Sequence, residues 1–244
     1  MQNLLNSIIS EKALHPLRVV VYGVEGVGKT AFRAAAPKPV FITTEDGAAH
    51  LGVSRFPMAD SWNAVLQAVE ALLSSEHDYQ TLVIDSADWA ERLAQAAVCQ
   101  ENHHSSIEGM GYGRGYTFVA EKFSQLLQGL SRLGSQKKMH CIFTAHTQIR
   151  TFNDPLSESY DMYQLKLQKQ VAGLLKEWCD CLLFANFKTL VRDSDGRKQC
   201  VSYGERLLHT EHRSGFDAKN RFDLPETLPL DFKALYQPYQ TYFS

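Results

Sequence analysis

The residues with the clearest capacity for chemistry lie in one short run, VVVYGVEGVGKTAF, where Gly23, Gly28, Lys29 and Thr30 complete the spacing G-x-x-x-x-G-K-[ST]. A β-branched run precedes it and a helix-forming stretch follows. Glycines at these places let the backbone curl. Successive N–H groups, from Gly23 through Val24, Glu25, Gly26, Val27 and Gly28 to Lys29, Thr30 and Ala31, can then face one anion, and the start of a helix adds positive potential. Lys29 would reach the outer phosphates of a nucleoside triphosphate, and the Thr30 hydroxyl would be a ligand for Mg2+.

Such a site also needs a carboxylate at the end of a neighbouring strand. In TLVIDSADW, Asp85 follows four strand-like residues and is the expected metal-holding group. Asp88, in the same turn, reads as the N-cap of the next helix. No guanine-reading N-K-x-D run occurs.

Alternating periodicities predict the elements that position these groups. A short amphipathic helix over residues 1–16 (Leu4, Leu5, Ile8, Ile9) leads to the first strand, RVVVYG. Helices are expected over 30–36, 61–74, 89–99, 117–133 and 165–178, the second capped by Ser61. Strands PVFITTE, TLVID, MHCIFTAH and DCLLFANF alternate with them, and residues 149–165 read as a polar, turn-rich loop. Strand–helix alternation implies an α/β fold with a mostly parallel sheet covered on both faces. After residue 186 the pattern changes to antiparallel hairpin strands that extend the same sheet.

A length of 244 residues suits one domain: an N-terminal helix (1–16), a core (17–236) and an aromatic tail (237–244). The net charge of −2 argues against a broadly basic nucleic-acid binder, yet residues 110–150 carry a local excess of five positive charges. No apolar run approaches the length of a membrane span, and the N-terminus lacks a basic signal-peptide region. The five cysteines show no zinc spacing, so reduced packing cysteines in a cytoplasmic protein are expected, with Cys179 and Cys181 on one face of a strand.

Over roughly residues 17–230 the pattern resembles the RecA-like P-loop ATPases, specifically their short phage-encoded relatives, with four further features in support. In VFITTEDGAAHL, Glu45 occupies the place of the glutamate that orients the attacking water, with Asp46 its neighbour. IEGMGYGRGY matches the first DNA-binding loop, where Tyr112 and Tyr116 would stack on bases and Arg114 would meet phosphate. HCIFTAHTQIR ends where the family has a γ-phosphate sensor, either His146 or Gln148, before a second DNA loop that Arg150 would serve. In DAKNRFDLP, Lys219 and Arg221 match two basic residues that reach a neighbouring subunit's γ-phosphate.

The resemblance implies a three-layer RecA-like P-loop fold and a Mg2+-dependent ATPase in the bacterial host cytoplasm, acting in DNA recombination or annealing. Single-stranded DNA is the implied partner, with a homo-oligomer and a single-strand-binding or annealing protein as further ones. Two other readings compete: a nucleotide-dependent adaptor on a replication or recombination protein, and a small-molecule kinase.

Overall fold

The computed structural model describes residue 8 and residues 14–46, 52–155, 158–194 and 197–243, with the side chains of 190–203 excluded. The helix expected over 1–16 therefore lies almost wholly outside the described residues, as does the side chain of Cys200.

Six strands run parallel: β1 (Arg18–Gly23), β2 (Pro39–Thr43), β3 (Ser54–Arg55), β4 (Thr81–Asp85), β5 (His140–Phe152) and β7 (Cys181–Ser194). The sheet continues antiparallel through β8 (Arg197–His209) and β9 (Thr227–Pro229), in the order β3-β2-β4-β5-β1-β7-β8-β9. β6 (Tyr160–Leu165) pairs with the outer part of β5. Thus β5 stands between the strand that leads into the glycine-rich turn and the strand that ends in Asp85.

Because both faces are covered, the central strands are apolar throughout rather than alternating. Val20, Tyr22, Leu82, Ile84, Phe143 and Phe184 point into one core. Helices α2 (Trp62–Ser74), α3 (Ala87–Glu101), α4 (Arg114–Arg132) and α5 (Lys169–Trp178) cover it. Val19, Val21, Phe41, Val83 and Leu183 point the other way, under α1 (Lys29–Ala34) and α6 (Phe232–Tyr242). This is the three-layer α/β architecture, with a mostly parallel sheet and C-terminal antiparallel strands, that the sequence implied. Local signals hold as well: Ser61 Oγ accepts from the Ala64 N–H at 3.3 Å and caps α2.

Several local expectations fail for identifiable reasons. Residues 149–165 are largely a β-hairpin: β5 runs on to Phe152 and pairs with β6 from Thr147↔Leu165 to Phe152↔Tyr160. Its outer part, from Ile149 to Phe152, is exposed, and from composition alone the segment looks like a loop. Cys179 caps the end of α5 and faces the first core, whereas Cys181 opens β7 and faces the second, so the two do not share a face. Most of the aromatic tail is the last part of α6, with Tyr239 2% exposed and packed on Phe222. Among the described residues, no helix is long and apolar enough to cross a membrane.

Candidate phosphate-binding site

β1 delivers the chain to Gly23, whose backbone sits against β7: a Cβ there would lie 2.0 Å from the Ala185 carbonyl oxygen, so glycine is required. The turn that follows uses left-handed backbone at Gly26 (φ 71°) and Gly28 (φ 108°). Val27 is fully buried and anchors the turn in the core, leaving its neighbours' backbone to face outwards. Thr30 and Ala31 form the first turn of α1. The Lys29 ammonium donates to the carbonyls of Gly23 at 2.9 Å and Val24 at 3.0 Å. Burial lowers its pKa, and the Arg33 charge adds to the effect.

In-register pairing brings the ends of the parallel strands together, with Gly23 beside His146 and Ala185, and Thr43 beside Asp85. A cavity of about 350 Å³ opens there, lined among others by Lys29, Thr30, Glu45, Asp85, Thr144 and His146. Glu45 is half-buried, while Asp46 is exposed. Burial raises the Glu45 carboxyl, and Ser86 and His146 partly oppose it. Glu45, Lys29, Thr30, Asp85 and His146 therefore meet in one cavity, as residues from four separate strand ends.

His146 and Gln148 now differ in placement. Gln148 donates through Nε2 to the Leu165 carbonyl at 2.7 Å and serves the base of the hairpin. His146 lines the cavity and is held by Asp88, which accepts from its backbone N–H at 3.0 Å and faces Nδ1 at 2.9 Å. A carboxylate only accepts, so Nδ1 carries the proton and Nε2 is the free edge. The contact raises the imidazole pKa. For Asp88, burial works upwards, but the His146 contacts outweigh it and hold the carboxyl low. Asp88 is therefore not the helix cap it resembled; Ser86 occupies the N-cap and Asp88 turns inwards to the histidine.

One helical turn on, Glu91 is 6% exposed and accepts the Gln168 N–H at 3.0 and 3.2 Å, fastening the chain where the hairpin enters α5. Burial raises its carboxyl from 4.5 to about 7, with Asp88 adding to the rise. The native state thus holds the proton more tightly than the unfolded chain, so stability falls as pH rises between those values. Glu91→Gln keeps an acceptor and removes the charge. It should leave stability nearly unchanged at pH 5 and raise it by roughly 1–3 kcal/mol at pH 8. Urea unfolding at both pH values measures this; an equal difference at both would contradict it.

The remaining expected residues lie elsewhere. Tyr112 is fully exposed, with left-handed backbone (φ 49°). Arg114 and Tyr116 are in the first turn of α4, not in a loop. The Arg114 guanidinium lies 6.0 Å from the Phe118 ring, and the Tyr116 hydroxyl donates to Glu108 at 2.5 Å. Arg150 is exposed on the hairpin beside exposed Ile149. Glu91 lies within electrostatic reach of both Tyr116 and Arg150. The positive excess over 110–150 is not one patch, because Lys122, Arg132 and Lys137 pair with Glu101 on α3, Glu70 on α2 and Glu76 just beyond α2. The Lys219 backbone pairs with Leu182, and Arg221 reaches Asp180 at 3.3 Å beside Arg18. Both lie by the N-terminal ends of the parallel strands, on the far edge from their own cavity.

Three groups at the site escaped the sequence reading. Arg33, one turn after Lys29 on α1, is buried against Asp85. Its spacing of four from Lys29 was a legible sign that it faces the same way. Thr144 donates to Asp85 Oδ1 at 2.7 Å. Arg206 arrives from β8, its guanidinium 2.8 Å from where a Cβ on Gly28 would stand, and nothing local in the sequence announces it.

A glycine-rich turn between β1 and α1, with an aspartate closing a sheet strand nearby, defines the class of P-loop nucleoside-triphosphatase folds. The chain belongs to the AAA domain family, whose model matches residues 15–222. Among solved structures it is similar to a crystal structure of the RadB recombinase, at 15% identity and a TM-score of 0.49, with 94% of each chain covered. A search of curated proteins gives no significant match.

Proposed function

We propose that this protein is an ATPase whose nucleotide state governs its hold on single-stranded DNA, in recombination or annealing. The observation that carries this is the cavity at the strand ends, where a phosphate-binding turn, Lys29, Thr30, Glu45, Asp85 and His146 converge. The backbone turn and Lys29 bind the phosphates. Glu45, with its raised carboxyl, orients and deprotonates the attacking water. His146 presents Nε2 to the γ-phosphate as a cationic donor.

The residues fit a Mg2+ ion. Thr30 lines the cavity with its hydroxyl unbonded among the described residues, and Asp85 retains lone pairs beyond those that Arg33 and Thr144 engage. When bound, Mg2+ neutralises charge on the outer phosphates, and this ion takes few protein ligands because phosphates and water supply the rest.

His146 also supports coupling to DNA, since it lines the cavity and stands at the root of the β5–β6 hairpin, its carbonyl accepting from the Lys166 N–H at 3.0 Å. Movement of His146 towards a γ-phosphate would tilt the ribbon that carries Ile149 and Arg150. Tyr112, Arg114 and Tyr116 lie at the start of α4 and would complete the strand's path. Lys219 and Arg221, remote from their own cavity, would act across the interface of a homo-oligomer.

Fluorescence anisotropy of a labelled oligonucleotide tests the coupling. Affinity should rise at least about tenfold with a non-hydrolysable ATP analogue and fall steeply with salt. Equal, weak binding with and without the analogue would contradict it.

A further inference from the structure

Arg33 is a full positive charge placed inside the site. It is 3% exposed, and guanidinium does not lose its proton in proteins. Nη2 pairs with Asp85 Oδ2, and Nη1 lies 3.5 Å from Thr144 Oγ1, which in turn donates to Asp85 Oδ1. Each oxygen of the proposed metal-holding carboxylate therefore already has a donor. The Phe41 ring, 5.8 Å from the guanidinium carbon, closes another side, and Nε is buried without a partner. The side chain is packed in place rather than resting loosely in an open pocket.

A divalent ion approaching Asp85 meets a neutral pair in place of a bare carboxylate, together with the repulsion of a cation at close range and low dielectric. For a phosphate chain the balance is different, because Lys29 and the N–H groups of the turn favour anions with no metal present. We propose that Arg33 is a built-in counter-cation for Asp85 that competes with the divalent ion, weakening metal binding and letting nucleotide bind with little dependence on it. The proposal rests on the reading of the turn as a nucleotide site.

Mn2+ binding to the full chain saturated with ADP, followed by the electron paramagnetic resonance of free Mn2+, tests it. Arg33→Gln should bind Mn2+ at least about tenfold tighter than the unsubstituted protein, and Arg33→Lys, which keeps the charge, within about twofold. Equal or weaker Mn2+ binding by folded R33Q overturns the proposal. If R33Q does not fold, the unsubstituted protein decides: the Arg33 Nε–H resonance, identified by its loss in R33K, should shift when Mg2+ is added to the ADP complex. An unmoved resonance overturns the proposal. ADP binding with unchanged Mn2+ affinity defeats this inference alone, whereas failure to bind ADP defeats the nucleotide-site reading and this inference with it.

Discussion

Glu45→Gln should lower the ATP turnover rate by about 10²–10³-fold while leaving ATP affinity within a few-fold of the unsubstituted value. Glu45 lies at the end of the β2 segment, half-buried in the same cavity as Lys29 and His146. Burial and the nearby Asp85 and Asp88 charges raise its carboxyl, which brings a carboxylate closer to the basicity a water-activating group needs. The amide keeps the size and can still accept a hydrogen bond, but it cannot take a proton. Binding determinants in the turn stay intact, so the loss should appear in turnover and not in affinity. The substituted protein should accumulate as an ATP complex with slow release of bound DNA. A rate within tenfold of the unsubstituted protein would remove Glu45 from the chemistry.

What was legible in the sequence follows from how locally each signal is encoded. The turn Gly23–Thr30 and its flanking strand and helix are contiguous, and glycine is demanded by backbone contacts and positive φ that no other residue meets as well. The strands were visible because burial on both faces makes them uniformly apolar. The hairpin at 149–165 was not, since its outer part is exposed and largely polar, and only a few residues such as Met162 and Leu165 reach the core. Nor was the role of Asp88: an aspartate beside a helix start looks like a cap, and only the fold shows its carboxylate turned to His146. The partners of the Asp85 carboxylate come from two places, α1 and β5, and Arg206 from a strand that meets the turn only in space.

Lys29→Ala should weaken nucleotide binding by about a hundredfold. In the present arrangement the ammonium is held by the Gly23 and Val24 carbonyls, directly over the turn, and it gives up two neutral acceptors for charged phosphate oxygens when nucleotide enters. That exchange is favourable because burial and Arg33 already disfavour the uncompensated charge. Losing charge-assisted hydrogen bonds to phosphate costs about 1.5–3 kcal/mol each, and the hundredfold loss corresponds to roughly 2.7 kcal/mol. The side chain is not part of the packed core, so the substituted protein should unfold within about 1 kcal/mol of the original. Calorimetric titration of a non-hydrolysable ATP analogue with Mg2+ into the unsubstituted and K29A proteins tests the central claim most directly. Saturable, one-to-one binding that K29A loses by about a hundredfold is the predicted result. No binding by the unsubstituted protein, or equal binding by both, would contradict it.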